Sequence, residues 1–458
     1  MTKEKSLSYS VDFTNGPIAG KMLKFALPLM FSSILQLLFN AADIIVVGKF
    51  AGDECVAAVG STTSLINLIV NLFIGLSVGA NVMVANYFGA RKLRDLSETI
   101  HTAIAVSFIS GILLAVIGFF FAPEILKVMN TPDDVIDLAS VYVKTYFMGM
   151  PFMMLYNFSA AILRAVGDTK RPLYFLSVAG VINIALNLVF VIAFHWNVFG
   201  VAFATILSQV VSALLVLRCL MKEDNELKLS LKKLHIHKDK LLRMLQIGIP
   251  SGIQGMMFSI SNVIIQSSIN TFDTAVVAGS AASTSVEGFA FTSINAFHQS
   301  AVSFAGQNKG AGKYDRINRI LYTAWGFALI TAELNALAFI LFDYQLIDLY
   351  VEGADVIKAG IERLNVIAWS YLICGFMDVT VGVIRGLGYS LMPTIVSLLG
   401  VCGIRILWVS TIFNMEQFHF VETIYYSYPI SWAITFFAHF MCYLYIKHSI
   451  RKKLPQHI

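Results

Sequence analysis

The chain has 458 residues, of which 57% are hydrophobic and 13% are charged, with a net charge of +5. Soluble domains carry about 25% charged residues, so this composition excludes an ordinary soluble protein. We also expect no nucleic-acid partner.

Apolar segments of about 20 residues, enough to cross ~30 Å of hydrocarbon, recur from the first near residues 22–47 to the last near 424–446. We count twelve. Lipid offers the backbone no hydrogen-bond partner, and these runs lack the alternation of barrel strands, so each is predicted to be a helix. The predicted fold class is an all-α integral membrane protein with twelve transmembrane helices. No cleavable signal peptide is expected before the first of them.

The positive residues alternate in a way that predicts orientation. If the N-terminus is cytoplasmic, most of the 33 lysines and arginines fall in cytoplasmic connections. The opposite loops are acidic, and Arg363 is assigned to one of them. Both termini are therefore predicted to be cytoplasmic. The five cysteines show no metal or redox spacing, so we expect no disulfide and no metal site.

The second half of the chain repeats the first at an offset of about 221 residues. The matched pairs extend beyond apolar positions and include Pro28 with Pro250, Asn40 with Asn262, Gly89 with Gly310, Arg164 with Arg385, and Pro172 with Pro393. Six helices per repeat return the chain to the same side, which predicts a parallel repeat. We expect an N-terminal lobe of residues 1–221, a cytoplasmic linker of residues 222–240 and a C-terminal lobe of residues 241–458, with a central cleft suited to alternating access.

Several motifs at these positions resemble the multidrug and toxic compound extrusion (MATE) family. They are Pro28 followed by residues 40–43, residues 85–90 and 163–172 in the first half, and residues 307–311 and 384–388 up to Pro393 in the second. The resemblance implies a V-shaped pair of six-helix lobes that exports organic cations in exchange for inward Na⁺ or H⁺. Arg164 and Arg385, beside glycines at a helix end, are interpreted as topology anchors and turns.

Polar residues within the spans are functional candidates, because charge in the bilayer is unfavourable. On the first helix Ser32, Gln36, Asn40 and Asp43 form one stripe, and on the fifth Asn183 and Asn187 lie one turn apart. With Thr205 of the sixth helix they supply one carboxylate and neutral oxygens, suited to Na⁺ or to a proton on Asp43.

The resemblance implies that Asp43, Asn183 and Thr205 belong to an ion-coupling site in the N-terminal lobe. Asn187 departs from the pattern, because several relatives carry aspartate there, and this weakens the case for Na⁺. The repeat places Ile265, Ile404 and Trp408 opposite Asp43, Asn183 and Asn187. Ion coupling is therefore assigned to the first lobe alone, with no cofactor beyond the coupling H⁺ or Na⁺.

The remaining polar positions are predicted to line the substrate cleft. They are Gln36, Gln254, Asn262, Glu287, Gln299 and Asp378. We predict a monomeric, multi-pass antiporter in the cytoplasmic (inner) membrane of a bacterium that exports organic cations and other xenobiotics. The nearest alternative is a flippase for a lipid-linked saccharide, which needs a basic central cavity. An enzyme is not expected, because no catalytic constellation lies within the spans.

Overall fold

The computed structural model describes residues 10–128, 131, 135–223 and 226–453. These residues form twelve long helical segments, and no strand is found among them. The first lobe contains α1 Ile18–Phe50, α2 Asp53–Gly89, α3 Leu93–Val128, α4 Ile136–Met148 with Met150–Ala165, α5 Lys170–Leu188 with the π-helical turn Val189–Ala193, and α6 Asn197–Met221. The second lobe contains α7 Lys238–Ile269, α8 Thr274–Gly310, α9 Asp315–Leu341, α10 Ala354–Ile367 through Ala368–Ser370 to Tyr371–Gly386, α11 Leu391–Ser397 with the π-helical turn Leu398–Gly403 and Ile404–Ser410, and α12 Val421–Lys453.

Nine of these helices are long and apolar enough to span a membrane, and the α4 pair, bent by 47°, makes a tenth among the described residues. The remaining two, α7 and α8, have 32 and 37 residues. Their length suffices for a span, but they are more polar than the others. Because both helices line the contact between the lobes, their polar side chains need not face lipid.

The two lobes meet through glycines at which the helix backbones touch. A Cβ atom added to Gly75 of α2 would lie 2.2 Å from the Gly252 nitrogen of α7. At the far end of α2, an added Cβ on Gly89 would lie 2.0 Å from the Gln307 carbonyl oxygen, and one on Gly310 would lie 1.9 Å from the Asn86 carbonyl oxygen. Small residues allow helices to approach this closely. The molecule is therefore closed at the end where α2 and α8 finish.

An N-terminal strap, residues 10–16, crosses this closed end and contacts both lobes. The Val11 N–H donates to the Val166 carbonyl in the first lobe at 2.9 Å. The Phe13 N–H donates to Gln307 Oε1 of α8 at 2.9 Å, and its ring stacks on Phe304 at 3.8 Å between centroids. The strap thus links the end of α4 to α8.

The linker between the lobes is docked on the first lobe. Leu227 and Leu229 are buried against it, and the Ser230 N–H donates to His101 Nε2 at 3.1 Å. The His237 N–H donates to Thr102 Oγ1 at 3.1 Å, after which α7 begins. Some of the charged residues used for the orientation prediction lie outside the described residues. They are Lys3, Lys5, Asp133 and Asp134; Asn225 of the linker is also outside them.

Candidate functional site

A polar cavity of about 270 Å³ lies inside the first lobe and is called here the N-lobe cavity. Its polar lining residues are Gln36, Asn40, Asp43, Asn67, Asn71, Tyr146, Tyr156, Asn157, Asn183, Thr205, Ser208, Gln209 and Ser212. Asp43 is the only carboxylate among them, and no lysine, arginine or histidine accompanies it. Asp43 is therefore the only charged group in this cavity lining.

A chain of hydrogen bonds joins α1, α5 and α6 at this cavity. Asn187 Nδ2 donates to Asp43 Oδ1 and, at 3.3 Å, to Asn183 Oδ1. Asn183 Nδ2 donates to Thr205 Oγ1 at 3.3 Å, and that hydroxyl donates to the Val201 carbonyl at 3.0 Å. The structure thus brings together the four residues from three separate helices. Asn40 and Gln36 line the same cavity outside this chain of bonds.

One acceptor in this network has no donor. Asn187 Oδ1 is buried and makes no hydrogen bond within the described part of the chain. Buried polar atoms are usually paired, so this oxygen keeps an unused acceptor position on the residue that donates to Asp43. It lies just before the π-helical turn Val189–Ala193; such turns frequently occur at functional sites.

A second cavity of about 490 Å³ lies in the other lobe and is called here the C-lobe cavity. Asn71 of α2 borders both cavities, and its Nδ2 donates to Ser259 Oγ of α7 at 3.3 Å. The charged residues of the C-lobe cavity are Glu287, Arg363, Asp378 and Arg405, and they are accompanied by Asn262, Tyr371, Met377, Tyr428 and Trp432. Four charged groups therefore share this cavity lining with several aromatic rings.

Two of these charges neutralise each other. Arg363 Nε donates to Glu287 Oε1 at 2.8 Å and its Nη2 donates to Oε2 at 3.2 Å. Both residues are buried, at 2% and 5% exposure. The assignment of Arg363 to a loop was wrong, because it lies within α10 and faces α8. The sequence signal for this pair was the acid at Glu287, since a carboxylate within a span needs a partner.

The other predicted cleft residues occupy different surroundings. Gln254 is buried and its Oε1 accepts from Arg385 Nη2 at 2.7 Å. Gln299 is half-buried on α8 and lines neither of the two cavities. The His298 ring bonds the Asp378 backbone carbonyl at 2.7 Å. Arg385 therefore lies next to the predicted turn and also connects α10 to α7 through its hydrogen bond to Gln254.

Twelve long helices in two lobes, nine or ten of them apolar enough to span a membrane within the described residues, with a polar cavity in each lobe, form the architecture of a polytopic membrane transporter. Residues 28–189 and 250–409 match the family model described as MatE. The chain therefore belongs to the MATE family, and the family predicted from the sequence is confirmed.

Individual relatives extend this match along almost the whole chain. The chain is 27% identical to "Probable multidrug resistance protein YoeA" of Bacillus subtilis, over 90% of this chain and 91% of that protein. It is 20% identical to "Multidrug export protein MepA" of Staphylococcus aureus, over 87% of each. A solved "Outward-facing conformation of a multidrug resistance MATE family transporter of the MOP superfamily" has a TM-score of 0.90 at 21% identity, over 97% of this chain and 99% of that one. The predicted fold class, two lobes around a V-shaped cleft, is confirmed.

Proposed function

We propose that the protein is a monomeric antiporter that exports organic cations and other xenobiotics in exchange for H⁺ or Na⁺, with Asp43 as the coupling carboxylate. The observation that carries this proposal is the solitary charge of Asp43 in the N-lobe cavity, next to the unpaired Asn187 Oδ1. A coupling site needs a group whose charge is altered by the ion, and Asp43 is the only carboxylate there.

The two ends of the Asn187 amide suit the two states of Asp43. Ionised Asp43 accepts from Asn187 Nδ2, whereas a protonated carboxyl has an O–H to donate. Asn187 Oδ1 is an acceptor with no other donor. Protonation therefore gives Asp43 an O–H that can donate to Asn187 Oδ1, while its other oxygen can still accept from Nδ2, so the contact between α1 and α5 differs in the two states. Na⁺ would use the same oxygens as ligands.

Coupling follows if the ion and the substrate prefer different arrangements of the lobes. The cleft is closed at the end where α2 and α8 finish, and the predicted topology makes that end cytoplasmic in a bacterial inner membrane with both termini inside. Substrate would enter the C-lobe cavity, where the Asp378 carboxylate forms no ion pair among the described residues and aromatic rings contribute to the lining.

A flippase is less well supported by this arrangement. A lipid-linked pyrophosphate needs several free bases, but Glu287 neutralises Arg363 and Arg405 is the only other base in the C-lobe cavity lining. The N-lobe cavity lining contains an acid and no base.

Drug accumulation tests the proposal. Expression in a bacterium that lacks its own efflux pumps should lower the accumulation of ethidium, and Asp43→Asn, expressed to the same level, should not. Unchanged accumulation across a panel of cationic dyes, with the wild-type protein well expressed, would contradict export of organic cations.

A further inference from the structure

Arg405 of α11 lines the C-lobe cavity and keeps hydrogen-bonding capacity that the protein does not use. Its side chain is almost fully buried, at 4% exposure for the residue. Nε donates to Ser431 Oγ at 3.0 Å, whereas Nη2 is buried and has no acceptor among the described residues. Its guanidinium carbon lies 4.0 Å from the centroid of the Tyr428 ring and 5.3 Å from that of Trp432. The two aromatic rings therefore contact the guanidinium from the side.

The other charges of the cavity leave Arg405 without a counter-ion. Arg363 and Glu287 are paired with each other, and among the described residues Arg405 forms no ion pair. Asp378 lines the same cavity, more than 4.0 Å from the Arg405 nitrogens, and no hydrogen bond to its carboxylate occurs in the described part of the chain. Among the described residues, the cavity lining therefore carries one basic and one acidic group that form no ion pair with each other.

This polarity is specific to the second lobe. The internal repeat places Ile184 opposite Arg405, just as it places Ile265 opposite Asp43. The N-lobe cavity thus has an acid without a base, and the C-lobe cavity has a base where the first lobe has an apolar residue. The two cavities are equipped for different ligands.

A buried, unpaired guanidinium is unfavourable, and its planar fork matches a carboxylate in a bidentate contact. We propose that the C-lobe cavity binds zwitterionic substrates, with Arg405 receiving the carboxylate and Asp378 facing the cationic nitrogen. A volume of about 490 Å³ falls in the range for drug-sized ligands. This assignment deepens the proposed export function and rests on it for the direction of transport.

Equilibrium binding separates this subsite from transport. The probes are a fluoroquinolone, which carries both an ammonium and a carboxylate, and its methyl ester, which keeps only the cation. Purified protein in nanodiscs can be titrated with each by quenching of tryptophan fluorescence, since Trp432 lines the cavity. The wild-type protein should bind the acid about tenfold tighter than the ester or better, as a charge-assisted hydrogen-bonded pair allows.

Matched variants assign that preference to Arg405. Arg405→Gln should abolish the preference for the acid without lowering the affinity for the ester, because the ester offers Arg405 no carboxylate. Arg405→Lys, which keeps the charge but loses the planar fork, should retain part of the preference. Asp378→Asn should weaken both ligands, because both are cationic.

Equal affinities of wild-type protein for acid and ester, or binding of neither, would overturn the assignment even if Arg405→Gln does not fold. A preference that survives in Arg405→Gln would overturn it as well. If the acid is preferred but ethidium accumulation does not change in cells, the export function fails and the zwitterion subsite stands.

Discussion

Glu287 and Arg363 form a buried ion pair, and breaking it should affect the stability of the protein. Glu287→Gln leaves the Arg363 charge buried without its partner. Breaking such a pair costs about 3–5 kcal/mol, so we expect a marked fall in the thermal unfolding temperature in detergent. Glu333→Gln, on the exposed surface of α9, is the matched control and should have no effect.

The double variant Glu287→Gln with Arg363→Met removes both charges and should recover most of the lost stability, because the unpaired ion is gone. A single variant as stable as the wild-type protein would show that Arg363 finds another partner or reaches water.

The sequence reveals which polar residues lie within apolar segments, but it does not reveal the residues with which they pair. Asp43, Asn183 and Asn187 stand out because each interrupts a span at helical spacing. Arg363 does not, because Lys358 and Glu362 precede it and the segment resembles a loop. Among the described residues, the unpaired Oδ1 of Asn187 and the unpaired Nη2 of Arg405 depend on side-chain orientation across several helices, which residue spacing along one helix does not reveal.

The N-terminal strap contacts both lobes, and we expect it to stabilise their association. Phe13 is 1% exposed and its ring contacts both Phe304 and Phe25. Phe13→Ala should lower the free energy of unfolding by about 3–5 kcal/mol, measured as a fall in thermal unfolding temperature. Phe31→Ala, on the exposed face of α1 at 58%, is the control and should change little. Equal effects of the two substitutions would contradict a stabilising strap.

The long helices could be predicted because their apolar composition alone indicates a membrane span. The structure of the short segments could not be predicted in this way. Residues before the first span read as mixed and polar, and only contacts with Val166 and Gln307, far along the chain, show that they form a strap. The linker likewise reads as polar, although Leu227 and Leu229 are buried. In both cases the order comes from partners distant in sequence.

For the whole molecule, closure of one end of the cleft depends on the absence of side chains at Gly89 and Gly310. Alanine at either position places a methyl group about 2 Å from a backbone oxygen of the other lobe. Overpacking costs about 1–3 kcal/mol, which disfavours the closed end by about 5- to 150-fold and should reduce ethidium export accordingly. Gly326→Ala, with nothing within 4 Å, should export normally. Full export by Gly89→Ala would contradict the requirement for this contact.

Orientation in the membrane is tested at the linker. The excess of basic residues predicts a cytoplasmic linker, and Lys232 is exposed there. In a background without the native cysteines, Lys232→Cys should escape an impermeant thiol reagent in intact cells and react once the cells are permeabilised. Ready labelling in intact cells would reverse the orientation.

The two-lobe plan could be predicted because the repeat preserves Pro28, Gly89 and Pro172 as Pro250, Gly310 and Pro393. The ends at which the two lobes meet could not be predicted, because the two ends of a repeated helix show similar patterns of matched residues. Only the approach of the Gly89 and Gly310 backbones to α8 and α2 identifies the closed end.

Coupling through Asp43 is tested most directly by gradient-driven export from proteoliposomes. Asp43→Asn keeps the size of the side chain but can neither take up a proton nor balance an ion's charge. We predict that it abolishes transport driven by an imposed H⁺ or Na⁺ gradient while leaving substrate binding, and that Glu333→Gln transports normally. Gradient-driven transport by Asp43→Asn at the wild-type rate would contradict coupling in the first lobe.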